Sequence, residues 1–456
     1  MPADPDPVSI LSREQCSALF DRVQRVARSL GAPDVEVLFG ANREALTRFA
    51  NNTIHQSVSE QSQWLSVRIL LDQKTARAST NRFDADSIRS IVEQAIALTR
   101  SASADPSVLP LAEAASIPIV PRFDSPTAEA TPRDRARAVT DAIQIVERAG
   151  QTAAGIFSTG QSVEAIFNSQ GVAAWHEETM ANFSITAMAD DSSGWAKASA
   201  VAQADFSPVG LARRASEKAR LSAKPREIPA GRYPVVLEPA AVLDLVGQMV
   251  GDFSATAIED KRSFLNDRLG TKLFGENIHI DDDVAHPFQA GVPFDGEGVA
   301  RRKLKLVEGG VPRDVAYSRA SAQRAGVSPT GHGFPLPNEI GEAPGNIVIA
   351  GGNATIEEMI ASIPRGVLVT RFWYIREVEP FAKMMTGMTR DGTFLVEDGK
   401  VVCGLRNFRF NQSLIDLLNN VEALSRSVRA SGEEAFDMVV PAMLVRDFHF
   451  TEVTKF

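Results

Sequence analysis

The chain has 456 residues, more than a single hydrophobic core usually organises, so two domains are expected. Its 48 basic and 57 acidic side chains leave a formal charge of −9, which excludes a broad cationic field for gripping phosphate backbones and sets direct nucleic-acid binding aside. With 44% hydrophobic and 23% charged residues, the composition is that of a folded globular protein, neither disordered nor fibrous.

Met1 to Arg13 is rich in Pro and Asp and lacks a basic segment followed by an apolar one, and no apolar run approaches the roughly eighteen residues of a membrane span. The two cysteines, Cys16 and Cys403, are too few for a disulfide framework and suit a reducing compartment. A cytoplasmic location without membrane contact is the expectation.

From Ser12 to Leu30, apolar side chains at Cys16, Leu19, Phe20, Val23, Val26 and Ala27 recur at helical spacing and stop at Gly31. Strands are expected at Val35 to Phe39, Leu46 to Phe49 and Trp64 to Leu71, then a helix from Asp84 to Thr99. The stretch 101–133 carries Pro106, Pro110, Pro118, Pro121, Pro126 and Pro132 and reads as an excursion within the first domain. A helix from Arg133 to Ala149, an alternating strand at Ala181 to Ala189 and a helix from Leu211 to Leu221 complete that domain.

Prolines and polar residues between Ser222 and Gly231 mark a boundary, giving domains 1–224 and 225–456. In the second, Leu306 to Gly310 and Leu395 to Gly399 have the turn chemistry of tight hairpins, and closing strands run from Phe436 to Phe450. The fold class is α+β: an N-terminal domain of helix and strand layers and a C-terminal domain with a curved, mostly antiparallel sheet.

Chemistry is harder to find. A zinc peptidase needs imidazoles held together on one metal, usually from one helix, with a carboxylate to activate water. No two of the six histidines, His55, His176, His279, His286, His332 and His449, lie three to five residues apart. His176-Glu177-Glu178 matches only two residues of such a motif and reads as an exposed strand end or turn; Asp281 to Asp283 reads as a solvated loop. There is no Gly-x-Ser-x-Gly elbow, and Cys403 lies in an apolar strand-like setting that buries an inert thiol more often than it activates one. Gly351-Gly352-Asn353 reads as the entry turn of a helix at Thr355 to Ser362. Thr370-Arg371-Phe372-Trp373-Tyr374 and Thr386 to Gly392 bring rare aromatics beside arginine, which suits either a contact groove or a core strand with an Arg390 to Asp391 contact.

Several motifs resemble the TldD/PmbA proteins, also called modulators of DNA gyrase. These are Arg48 to Gln56, Ser66-Val67-Arg68, Ala78 to Asn81, Asp295-Gly296-Glu297-Gly298, Ser328 to Gly333, Leu368 to Tyr374 and the Gly392 to Gly399 hairpin, in the order that family has them. The resemblance implies a heterodimer of a TldD-type and a TldE (PmbA)-type subunit that degrades or trims peptides, including leader peptides and unfolded polypeptides. It implies that the TldD-type chain holds zinc with a His-Glu-x-x-x-His helix early in the second domain and a cysteine near the C-terminus. The corresponding helix is expected at Pro239 to Phe253, where Val246-Gly247-Gln248-Met249-Val250-Gly251 offers no such ligands and Gly247 and Gly251 suit close packing. Pro441 to Phe456 lacks cysteine.

The resemblance therefore implies a TldE-like chain with no catalytic residues or zinc of its own, partnered by a zinc-bearing TldD-like paralogue in a heterodimer or higher assembly, with peptide as substrate. Candidate peptide-contact or interface residues are Asn51, Asn52, His55, His332, Arg371, Trp373, Tyr374, Arg390 and Asp391.

Overall fold

The computed structural model describes residues 10–454, so most of the opening stretch read as free of targeting signals, and the last two residues of the closing segment, lie outside the described residues. Helix α1 (Arg13–Ser29) starts where Ser12 and Gln15 exchange side-chain and backbone hydrogen bonds, and it turns Cys16, Leu19, Phe20, Val23 and Ala27 inward. Strands β1 (Asp34–Ala50), β2 (Thr53–Leu71), β3 (Lys74–Thr80), β4 (Thr152–Asn168), β5 (Ala173–Met188) and β6 (Ser193–Ala200) form one antiparallel sheet in the order β3-β2-β1-β4-β5-β6. Between β3 and β4 lie α2 (Ala85–Ser101), the short α3 (Ser125–Ala128) and α4 (Pro132–Arg148), and α5 (Pro208–Leu221) follows β6.

The two short strands expected in the first segment are a single strand, β1. Its polar middle, Asn42 to Ala45, stays extended because it is paired on both sides, to β2 and to β4. Strict alternation sends Val35, Val37, Phe39, Val163, Ala165 and Phe167 to the face covered by α1 and α2, while Phe157, Phe183 and Ile185 pack with α4 and α5 on the same face.

The opposite face meets the rest of the chain. Ile166 and Ala174 from the sheet, with Val172, share an apolar cluster with Phe294. Glu36 is buried and takes two hydrogen bonds from Arg68, its register partner on β2, at 2.9 and 2.7 Å, and one from Arg77 at 2.7 Å. Arg77 also donates to the Leu336 carbonyl at 2.7 Å, so the charged row ties the sheet to a loop some 259 positions away in sequence.

The second half opens with β7 (Gly231–Leu237) and α6 (Pro239–Val246), which continues as a 3-10 turn over Gly247–Asp252. The expected helix to Phe253 thus tightens halfway. After α7 (Ala255–Glu259) come β8 (Ile280–Asp282), β9 (Leu304–Glu308), β10 (Val311–Pro312), α8 (Arg319–Ala325), β11 (Ile347–Ile349) and α9 (Ile356–Ala361). The chain then runs through β12 (Arg365–Glu379), β13 (Met384–Glu397), β14 (Lys400–Gly404), β15 (Phe408–Ser413), α10 (Leu414–Asn419), β16 (Val421–Leu424), β17 (Val428–Ala430), β18 (Met438–Val440) and β19 (Met443–Val453).

Five of these strands close on themselves: β12 pairs β7, β7 pairs β19, β19 pairs β15, β15 pairs β13, and β13 returns to β12. All but the parallel β12–β7 pairing are antiparallel, which makes the expected curved sheet a closed ring. Phe372, Phe408, Phe410, Phe448 and Phe450 interlock in its core, with ring centroids 4.7 to 5.7 Å apart. A second sheet, β10-β9-β8-β11-β18-β17, packs beside it.

Two expectations are corrected here. Asp281 to Asp283 is no solvated loop: Ile280–Asp282 is a strand, and buried Asp282 accepts hydrogen bonds from the Gly345 and Asn346 backbone at 2.6 and 2.9 Å. His176 is not at an exposed strand end either. It stands inside β5, only 5% exposed, on the face turned toward the second half.

Replacing the buried ring of Phe372 by a methyl (Phe372→Ala) is expected to cost about 3–5 kcal/mol, because a closed ring of strands cannot collapse around the void. A lowered midpoint in urea unfolding, with the slope unchanged, checks this.

Candidate functional site

The helix where a zinc motif would stand presents Asp244 on its buried side, within a stripe formed by Val242, Leu245, Val246 and Met249. Asp244 is fully buried. Its carboxylate accepts from three backbone N–H groups: Phe372 at 3.3 Å on Oδ2, and Glu433 and Glu434 at 3.2 and 3.1 Å on Oδ1. Gln248, one turn on, donates to the Asp244 carbonyl at 3.2 Å and to the Glu434 carbonyl at 3.1 Å. Glu434 reaches back to the bulge of β12, accepting from Tyr374 N at 2.7 Å and Ile375 N at 3.1 Å.

One carboxylate thus joins α6, the irregular stretch of β12 and the loop before β18. The close approach depends on glycine: a methyl at Gly432 would overlap the Asp244 carboxylate, and one at Gly247 would overlap Ala435. Gly251, expected to pack closely too, has open space around it.

The donor set does not fit a zinc ion. The carboxylate of Asp244 is committed to backbone N–H groups, Gln248 offers an amide, and the ground above the helix is filled by the loop Gly432 to Ala435. Among the described residues no three His, Cys, Asp or Glu come together as metal ligands. The loop that bonds to the helix, residues 432–435, contains no cysteine.

Burial of Asp244 pushes its carboxyl up to about 6, with the three backbone donors and Arg371 pulling the other way. Burial, reinforced by Asp295, likewise pushes Glu297 up to about 7.

Next to this node lie five of the residues singled out in the sequence. Arg371 is buried, its guanidinium bonded through Nε (3.1 Å) and Nη2 to Asp391, and flanked by Trp195 and Trp373 at 5.0 and 5.5 Å from the ring centroids. Arg390 lies over the Trp373 ring at 5.0 Å. Asp391 also accepts from Ser193 Oγ of β6 at 2.6 Å, so the cluster fastens the first sheet to the ring. Arg371, Tyr374, Trp373, Arg390 and Asp391 therefore combine a locked interior with a surface: Tyr374 is 57% exposed, its ring covered by Arg376 at 4.3 Å.

The other four lie elsewhere. Asn51 and Asn52 form the β1–β2 turn with φ of 50° and 59°, and Asn52 exchanges hydrogen bonds with Gln151 O and Ala153 N at 3.1 and 2.6 Å. His55 is exposed on β2. His332 is buried, bonded to Thr330 Oγ1 at 2.9 Å and Asp282 Oδ1 at 3.0 Å, in the wall of a cavity between the first sheet and the second half.

Asp244, Gln248 and Glu434 escaped the sequence reading, which searched this helix for His, Glu and Cys. A lone aspartate in an otherwise apolar helical stripe was the signal available. The Glu434 contact joins residues 60 apart and leaves no local trace.

Three family models match this chain: PmbA/TldA metallopeptidase domain 1 over residues 35–99, the central domain over 121–223 and the C-terminal domain over 230–452. A metalloprotease of Methanothermobacter thermautotrophicus is 26% identical over 59% of this chain, and the chain spans 61% of that relative's length. A PmbA-homologue metalloprotease of Haemophilus influenzae is 23% identical over 49% of this chain and 47% of its own. Among solved structures, TldE from Thermococcus kodakarensis matches with a TM-score of 0.86 at 19% identity, covering 95% of this chain and 100% of that one, and so shows the shared fold.

Protonation of Asp244 gives a pH signature. A carboxyl raised from 3.8 to about 6 by folding favours the folded state most below pH 4, and that contribution is lost as pH rises through about 6. Between pH 7 and pH 5 the unchanged protein should therefore gain stability relative to Asp244→Asn, read as the difference between their urea midpoints; comparison with the variant removes the parallel contribution of Glu297. The three domain matches together run from residue 35 to residue 452, and the chain belongs to the PmbA/TldD metallopeptidase family.

Proposed function

We propose that this chain is the TldE-like, non-catalytic subunit of a heterodimeric zinc metallopeptidase of the TldD/TldE kind, acting on extended peptides in the cytoplasm, with the zinc held by a TldD-like partner. The observation that carries this reading is the state of the helix Pro239–Asp252. Its position, directly after β7 and against β12, is kept, while Asp244 and Gln248 spend their polar atoms on holding the loop at 432–434.

A hydrolytic zinc site needs an open coordination position and a carboxylate free to take a proton from water. In this chain both requirements meet packed protein. The name of the Thermococcus protein agrees with the assignment to the TldE branch. Among the described residues no helix is long and apolar enough to cross a membrane.

The exposed Tyr374 with Arg376 and Arg390, resting on the locked Arg371–Asp391 pair, is the surface assigned to the partner or the peptide. Rigid support beneath exposed aromatic and arginine side chains is what a contact centre requires.

Purified alone, the chain is expected to hold far less than one zinc per molecule by metal analysis and to leave an unstructured peptide uncut. Mixed with a family member that carries His-Glu-x-x-x-His, it should co-elute and the mixture should cleave. Stoichiometric zinc with cleavage by the chain alone would overturn the reading, and so would failure of the two chains to associate.

A further inference from the structure

Rows of side chains across the open face of the first sheet can be read from its register. Gly40 on β1 is paired with Trp64 on β2 to one side and Glu164 on β4 to the other, and Glu164 is paired in turn with His176 on β5. All four therefore lie on the same face, where Trp64 and Glu164 line a cavity of about 570 Å³ roofed by the loops at 290–296 and 333–346. That volume is in the range of small-ligand sites.

Gly40 makes the floor. A side chain there would overlap the indole of Trp64, so the missing Cβ lets the ring lie down on the sheet while remaining 42% exposed. The indole thus reaches across β1 toward Glu164, the register partner of Gly40 on the far side, and brings the ring and the carboxylate to the same hollow.

The charges around the cavity are unevenly spent. Glu178 accepts from Gly291 N at 2.7 Å and has Arg122 and Arg429 nearby. Asp295 accepts from the backbone of Glu297, Val299 and Gly333 at 2.9, 2.9 and 2.8 Å. Arg301 in the wall partly offsets the charges of Asp282, Asp295 and Glu164, while its Nε and Nη1 are buried without a hydrogen-bond partner.

Glu164 is different: its side chain is exposed within the cavity and no protein donor bonds to it. Desolvation, and then the nearby Glu178, push its carboxyl above the usual range, with His176 and Arg301 pulling only partly the other way, so a cation closer to the carboxylate would favour its charged form. Beside it His176 is buried, its Nε2 without a hydrogen bond and 3.8 Å from the Glu178 carboxylate.

We propose that this cavity binds an organic cation, an ammonium or guanidinium group on a peptide or a free amine, with the Trp64 ring as its face and Glu164 as its counter-ion. An aromatic face and a carboxylate lining one hollow form the arrangement that recognises such groups. The site belongs to this chain alone and does not depend on the assignment as a subunit, which turns on the helix Pro239–Asp252.

The test is isothermal titration of the full chain with tri-lysine. Binding should fall about tenfold or more in Glu164→Gln and in Trp64→Ala, and be largely kept in Trp64→Phe, a loss on the scale of one cation–aromatic or ion-pair contact. Tri-lysine acetylated on every amine should not bind. Butylammonium chloride binding as tightly as the peptide supports the site with free amines as its ligands; weaker binding supports it with a peptide's basic group. The proposal is overturned if neither substitution weakens tri-lysine binding, if no amine probe binds, or if the acetylated peptide binds equally well.

Discussion

The carboxylate of Asp244 is the constraint on which the second half of the molecule is arranged. Sealed from water, it must find its hydrogen-bond donors inside the protein, and it finds them in two segments remote from its own helix, at Phe372 and at Glu433–Glu434. Each needs special backbone to comply. The strand supplies register shifts on both sides of residues 371–373 and a positive φ at Tyr374, and the loop supplies Gly432, where a side chain would collide with the acid. A fixed Glu434 then shapes the exposed end of the same bulge. The polar atoms of Asp244, Gln248 and Glu434 hold three pieces of chain in one arrangement.

A second layer of organisation lies where the first sheet meets the rest. Its outward face is read row by row: an ion-paired row at Arg77, Arg68 and Glu36, an apolar row through Leu38, Ile166 and Ala174, and then the row containing Trp64, Gly40, Glu164 and His176. The first two rows are held by ion pairs and by packing. The third opens on a cavity. This gradation, from sealed to accessible within about four residues of strand, is how a sheet face serves as both a junction and a binding wall.

The sequence made local structure legible and distant contact illegible. Capping residues marked the helices closely: Ser12, Asp84 and Thr355 each stand at the N-cap of the helix foreseen there. Hairpin glycines at 309, 310 and 399 were equally plain, since their positive φ is a local requirement. The reading failed where pairing partners decide. Polar residues 42–45 looked like a break in a strand until both neighbours were present, and Asp282 looked solvated until the Asn346 backbone came to meet it. Of the candidate site residues, the set around Arg371 was visible because arginine and aromatics crowd in sequence. Trp195 and Ser193, which complete it, come from another sheet altogether.

Closure of the five-stranded ring has a bearing on how the chain comes to be folded. β19 is the last strand, yet it lies between β7, which opens the second half, and β15. Until residues 443–453 have left the ribosome, β7 and β15 each present an unpaired side, and the phenylalanine cluster lacks Phe448 and Phe450. The first sheet is made of neighbours in sequence, with one excursion between β3 and β4, and has no such dependence on the far end. Synthesis should thus pass through a stage with one half ordered and the other open-edged, the interval in which a nascent chain most needs protection from its neighbours.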